Sequence, residues 1–268
     1  MSVAKVNHAV THPPVRDAGS LPDEEESVTL SSRYELEIVE PCTHCGERGG
    51  RLFCNLADDT LRGLERIKFA TSYPRGALLF VEGQLPRGVY ILCGGRVKLS
   101  TSSSDAKVII TQIAEHGELL GLSAALSGEP HEVTAETLDP CQVNFIRRED
   151  FLRFLSANGD ACLKVAQQLS DNYRNAFDQV RLLGLSNSAA GKFARFLVEY
   201  STRAGRQTER GRSSKLTLTH EEIGQLIGAS RETVTRLFSE FKSERIIQVK
   251  GATLLVNNEP ALAALATA

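Results

Sequence analysis

The chain lacks several things, and each absence narrows its class. No run of 18 apolar residues occurs in its 268 residues, so no membrane-spanning helix is expected. There is no charged start followed by an apolar core. No secretory signal is therefore expected, and a cytoplasmic location is the default. Net charge is small, at −2, so whole-chain electrostatics do not point to nucleic acid. Tryptophan is missing and methionine occurs once. No βαβ pattern surrounds the C-x2-C pair at Cys42 and Cys45, which argues against a dithiol oxidoreductase, and no enzymatic activity is expected. What remains is ordinary for a globular protein, with 41% hydrophobic and 24% charged residues.

The charge is unevenly spread. Residues 189–256 hold twelve Lys and Arg against seven Asp and Glu, a net +5, so the remainder carries −7. A basic C-terminal third on an acidic body fits a protein that touches DNA with one end.

Residues 218–249 read as two short amphipathic helices joined by a tight turn. Thr219 and Glu222 make a capping box. Ile223, Leu226 and Ile227 then share one helical face. Gly228 and Ala229 break the pattern, and Ser230 caps a second helix with Val234, Leu237, Phe238 and Phe241 on its apolar face. The opposite face offers Arg231, Glu232, Thr235 and Arg236. Arginine can pair with guanine O6 and N7, and glutamate can accept from cytosine N4. An ordinary helical hairpin with a solvated charged face has the same pattern. The run IGQLIGASRETVTR (residues 223–236) resembles the helix-turn-helix of the CRP/FNR transcription regulators. Ser230, Arg231, Glu232, Thr235 and Arg236 are the DNA-contacting set this implies. Arg231 resembles the cyclic-AMP-receptor branch, whereas the FNR branch usually has an apolar residue there. The implied half-site is closer to TGTGA than to TTGAT.

Upstream, residues 71–150 show short strands with turns every 8 to 12 residues, which predicts an antiparallel barrel or jelly roll. The layout resembles the cyclic-nucleotide-binding-like sensor domain of the same family. Its ligand residues do not carry over. Leu122 stands where nucleotide-binding members have a ribose-binding Glu, and His131 and Glu132 stand in place of the phosphate-binding Arg-Ser. An apolar side chain takes no ribose hydrogen bond and a Glu repels phosphate, which argues against cyclic AMP as a ligand.

Cys42, Cys45 and Cys54 are spaced C-x2-C-x8-C with three glycines between the last two. C-x2-C sets two thiolates on one turn, as a metal or cluster needs, but a redox pair or half of a zinc site has the same spacing. Cys141 lies in an expected barrel strand, where a buried cysteine is usually a small hydrophobe. The FNR branch draws three cluster ligands from an N-terminal loop and a fourth from this part of the barrel. That resemblance implies a [4Fe–4S] cluster on Cys42, Cys45, Cys54 and Cys141, although the best-known FNR loop has five residues before its last ligand, where this chain has eight. Cys93 and Cys162 read as small buried residues outside the set.

In residues 160–184, Ala166, Leu169, Tyr173, Ala176, Val180 and Leu183 form an a/d seam, which predicts a two-stranded coiled coil; a helix packed on its own barrel is the competing reading. The expected architecture is α+β. A disordered tail (1–33) and a Cys-rich cluster-binding loop (34–58) precede a β-barrel, jelly-roll sensor (59–158). A dimerisation helix (159–185) and a winged helix-turn-helix (186–268) follow. Smaller expectations are a helix over 58–69, a polar loop over 205–214 and a short strand at 216–218. The expected function is a homodimeric regulator that binds palindromic DNA and senses oxygen or redox state through its cluster. Contact with RNA polymerase is implied by resemblance alone. Zinc, thiol redox chemistry or a small ligand in the barrel remain alternatives as the signal.

Overall fold

The computed structural model describes residues 30–31, 37–38, 42–45, 52–185, 188–208 and 211–267. Apart from residues 30–31, the expected disordered tail lies outside the described residues. So do the glycines of the cysteine loop.

Strand β1 (Leu30–Ser31) pairs with β2 (Glu37–Ile38). Two single 3-10 turns, Cys42–His44 and Leu52–Cys54, then carry the N-terminal cysteines. Helix α1 covers Asp58–Glu65. It stops short of residue 69 because Lys68–Tyr73 is strand β3. The helical spacing of Leu61, Leu64 and Ile67 loses there to sheet pairing along the whole strand.

The next elements are β4 (Leu78–Phe80), β5 (Gly88–Gly94), β6 (Val97–Ser102), β7 (Val108–Ala114) and β8 (Leu119–Leu120). Helix α2 (Leu122–Ser127), β9 (Thr134–Thr137) and β10 (Cys141–Arg147) complete the domain. The strands form two antiparallel sheets, ordered β3-β10-β5-β8 and β4-β9-β6-β7. This is a double-sheet jelly roll. Strand alternation sends one set of side chains between the sheets, where Phe80, Leu92, Val97, Leu120, Cys141 and Val143 pack. The other side of the first sheet carries Val89, Ile91 and Ile146. These pack against Phe53, Leu61 and Leu64 and against the helices that follow.

Those helices are α3 (Arg148–Ala157) and α4 (Gly159–Leu185). One face of α4 buries Ala161, Val165 and Leu182. Its Gln168 side chain brackets Leu119, accepting from the backbone N–H at 3.0 Å and donating to the carbonyl at 2.7 Å.

The C-terminal domain begins with α5 (Ala189–Ala204). Strands β11 (Arg206–Thr208) and β12 (Gly211–Lys215) replace the expected polar loop. Every residue of β11 is exposed, so an edge strand with no buried face left no apolar alternation to read. Residues 216–218 are not a strand. Helices α6 (His220–Ile227) and α7 (Arg231–Ser243) follow, then the wing strands β13 (Ile247–Lys250) and β14 (Thr253–Val256). Helix α8 (Glu259–Thr267), which the sequence reading did not foresee, packs on α5. The wing sheet is ordered β11-β12-β14-β13. Phe193, Leu197, Ile223, Val234 and Phe241 fill this core, and Ile110 of β7 and Leu138 join it from the jelly roll. The jelly roll and the C-terminal domain thus share apolar contact through α6 and β7.

Candidate functional site

Helix α6 starts at a complete capping box. Thr219 Oγ1 accepts from the Glu222 N–H at 3.1 Å, and Glu222 Oε2 accepts from the Thr219 N–H at 2.7 Å. Such a cap stabilises by about 1 kcal/mol. The turn to α7 needs two glycines. A Cβ on Gly224 would lie 2.6 Å from the Ala229 carbonyl oxygen, and Gly228 sits at φ 69°. Ser230 caps α7 by accepting from the Thr233 N–H at 3.2 Å. Val234, Leu237, Phe238 and Phe241 are buried. Phe238 and Phe241 meet the Phe193 ring at 4.8 and 5.3 Å.

This packing turns Arg231, Glu232, Thr235 and Arg236 outward together with Ser239, as one open patch. Thr235 Oγ1 donates to the Arg231 carbonyl at 2.9 Å and lies 2.8 Å from His220 Nδ1. Arg236 pairs with Glu240 at 3.2 Å. An exposed i,i+4 pair of this kind is weak, so the guanidinium is available to another acceptor. The backbone at the helix start and Ser230 hold the Glu232 carboxyl below its usual range.

The cysteines divide between the two faces of the first sheet. Cys141 is fully buried between the sheets. Its Sγ lies 3.4 Å from the Arg96 carbonyl oxygen and 3.2 Å from that of Asp139. Burial, with Asp139 beside it, pushes its thiol up to about 11. The structure does not bring Cys141 to the other three. Cys42 packs on the opposite face, and so does Cys93 of β5. Asn144 of β10 spans these two sulfurs, with Nδ2 3.1 Å from Cys93 Sγ and 3.8 Å from Cys42 Sγ. Lys68 of β3 places Nζ 3.2 Å from Cys42 Sγ. Cys54 lies 3.9 Å from His116 Nε2, and the other nitrogen of that ring is 2.7 Å from the Cys93 carbonyl oxygen. Cys45 closes the first turn, its N–H donating to the Cys42 carbonyl at 3.4 Å. Burial first, and then Cys42 and Cys54, push the Cys93 thiol up to about 12, against the pull of Lys68. Cys162 is exposed, on α4.

Among the described residues, no three His, Cys, Asp or Glu side chains converge closely enough to hold a metal ion as they stand. The donor chemistry fits a thiolate centre nonetheless. Cys42 and Cys93 share one face of a sheet, and an ammonium and a buried amide point N–H groups at these two sulfurs. Asn144, Lys68 and His116 were not singled out from the sequence, and Cys93 was read there as a small buried residue outside the ligand set. In-phase alternation along β10 groups Cys141 with Val143 and sets Asn144 apart, but it does not say which face is outermost.

The three residues that the family resemblance aligns with nucleotide ligands, Leu122, His131 and Glu132, make contacts within the chain. His131 is buried and stacks on Phe80 at 4.0 Å. A Cβ on Gly121 would come within 2.9 Å of the His131 ring. Leu122 is buried in the core under the helices. Glu132 accepts from the Ser123 hydroxyl at 2.6 Å.

Comparison with known proteins matches residues 70–158 to the cyclic nucleotide-binding domain and residues 191–265 to the Crp-like helix-turn-helix domain. The chain is a DNA-binding regulator of the CRP/FNR family. Among curated relatives of this CRP/FNR chain, the fumarate and nitrate reduction regulatory protein of Vibrio cholerae is 29% identical over 192 residues, which is 72% of this chain and 76% of the relative. The CRP-like cAMP-activated global transcriptional regulator of Mycobacterium tuberculosis is 24% identical over 214 residues, 79% of this chain and 94% of the relative. FixK2 from Bradyrhizobium japonicum has the same fold, with a TM-score of 0.66 at 24% identity over 75% of this chain and 98% of that one. No helix among the described residues is long and apolar enough to cross a membrane.

Proposed function

We propose that this CRP/FNR-family chain works as a homodimer that reads palindromic DNA and senses oxygen or redox state through a four-thiolate iron–sulfur centre. Cys42, Cys45 and Cys54 supply three of its sulfurs and the barrel supplies the fourth. The observation that carries this reading is the packing of the cysteine-bearing turns against both the sheet and α4. The Leu52–Cys54 turn lies on α4. Phe53 within it is buried against Phe151, with ring centroids 6.2 Å apart. Asp160 at the start of α4 accepts from the Thr60 hydroxyl at 3.1 Å. A bound cluster would supply sensitivity to oxygen and to electron transfer. Everything else falls to the protein. Lys68 and Asn144 direct N–H groups at sulfur, α1 and the two turns fix the thiols over the sheet, and α4 carries any shift of those turns along its length.

The far side of α4 supports the dimer. Leu163, Tyr173, Phe177 and Val180 are exposed large apolar side chains on one helix, and four of the expected seam positions, Ala166, Tyr173, Ala176 and Val180, are exposed. A second copy of the helix covers such a seam. Two α7 helices related by a two-fold axis would then enter successive major grooves about 34 Å apart. Cyclic AMP is not the signal in this reading, because His131 and Leu122 fill and line its place with no ribose or phosphate partner.

Anaerobic purification with visible absorption and iron and sulfide analysis tests the proposal. A brown protein with about four irons per chain supports it. A colourless protein holding zinc moves the function to a zinc or thiol-redox sensor on the same thiols. A protein with no metal defeats it.

A further inference from the structure

We infer that Cys93, a residue of the barrel strand β5, is the fourth sulfur of the centre formed with Cys42, Cys45 and Cys54, and that Asn144 is the residue that positions it. The inference rests on the thiolate-centre reading and names its missing ligand.

Four observations converge on Cys93. It shares the helix-covered face of the sheet with Cys42. Cys141 faces the other way, into the space between the sheets. Cys93 also sits at a break in the ladder. Gln142 pairs with Gly94 and Val143 pairs with Leu92, so Cys93 is an extra residue opposite no partner. Such a bulge re-aims a side chain and recurs beside functional sites.

The third observation is the donor pattern. Asn144 is buried, and its Oδ1 has no hydrogen-bond partner among the described residues. Leaving a buried carbonyl unpaired is costly, so an apolar residue would pack here with less penalty. What the amide provides in return is an N–H group shared between Cys93 Sγ and Cys42 Sγ. N–H groups aimed at sulfur stabilise thiolate and tune a metal centre. A small buried cysteine with only a packing role has no use for a buried amide and an ammonium around its neighbour. The fourth observation is His116, whose ring ties the Cys93 backbone to the Cys54 sulfur. On binding, each thiol releases its proton to solvent as its sulfur takes the metal.

The test uses the full chain with Cys141→Ser and Cys162→Ser combined, which leaves Cys42, Cys45, Cys54 and Cys93 as the whole thiol inventory. Cobalt(II) is bound anaerobically, and the number of sulfur ligands is read by X-ray absorption. Four sulfurs are expected, with thiolate-to-cobalt absorption equal to that of the unaltered chain. Cys93→Ala should weaken cobalt binding by at least about ten-fold, the lower end of what losing even an outer partner does. Three or fewer sulfurs in the double variant overturns the assignment. So does wild-type affinity in Cys93→Ala. Reconstitution with ferrous iron and sulfide runs in parallel. Four-sulfur cobalt binding without iron–sulfur loading defeats the cluster reading and leaves Cys93 assigned. An unaltered chain that takes up neither defeats both.

Discussion

Cys93 and Cys141 lie on directly paired strands, β5 and β10, and face opposite sides of the sheet those strands share. A strand's side chains alternate, so moving a residue by one position moves it to the other face. Cys141 is in phase with Val143 and is committed to the apolar space between the sheets. Asn144, three residues on, faces the N-terminal thiols. The division of the cysteines is therefore a matter of strand parity, and no side-chain rotation brings Cys141 through the sheet.

Lys68 holds its ammonium 3.2 Å from Cys42 Sγ. A cation beside a cluster favours its reduced, more negative form. Lys68→Met should therefore make the reduction potential of the reconstituted protein more negative while leaving iron content unchanged. Potentiometric titration followed by visible absorption measures this. An unmoved potential would mean that the ammonium turns to solvent once the centre is loaded.

On α7, Arg231 and Arg236 stand five residues apart on the open patch. Replacing either by Ala should weaken binding to the cognate palindrome by roughly 1–3 kcal/mol and relax one base position. Competition between the cognate site and single-base variants reads the effect. Equal losses on cognate and random DNA would reassign these arginines to phosphate.

The helix-turn-helix was legible in the sequence because its signals are local. A capping box, a glycine at the turn and an apolar stripe lie within 25 residues, and each reappears in the structure at the expected position. The jelly roll was legible as a class for a similar reason, since its strands and turn glycines recur at short intervals. The thiol face was not legible. It joins residues from β3, β5, β10, the β7–β8 turn and two 3-10 turns, and only the sheet register brings Lys68, Cys93, His116 and Asn144 together. Polarity also misled at residues 205–214, where strands at the sheet edge look like a loop.

The exposed side of α4 gives a prediction about assembly. Tyr173 and Phe177 meet at a tilt with centroids 4.7 Å apart, yet they are 66% and 47% exposed in the single chain. Covering a large apolar side chain stabilises by about 1.5–3 kcal/mol, and each substitution counts twice in a symmetric pair. Phe177→Asp should therefore raise the dimer dissociation constant on the order of a hundred-fold or more. Palindrome affinity should fall with it. Sedimentation equilibrium gives the first number, and titration on a half-site separates lost dimerisation from lost DNA contact. An unchanged dissociation constant would place the interface elsewhere.

His131 makes the jelly-roll domain sensitive to acid. Its ring is buried against Phe80. Burial lowers its pKa from the ordinary 6.5, while Glu132 pulls the other way without reversing the shift. In the unfolded chain the ring takes its proton near the ordinary value, so below that pH the unfolded state binds more protons than the folded one. The stabilisation is thus present above about pH 6.5 and is lost as pH falls through the lower folded value. His220 has the same sign in the other domain, so the useful quantity is the difference between two proteins. His131→Phe keeps a ring on Phe80 and removes the titration. Between about pH 7.5 and about pH 5.5 the wild-type Tm should fall more steeply than that of His131→Phe, at about 2–4 °C for each kcal/mol of stability lost. Thermal unfolding followed by circular dichroism measures both slopes, and parallel slopes would show that the ring accepts its proton without leaving the stack.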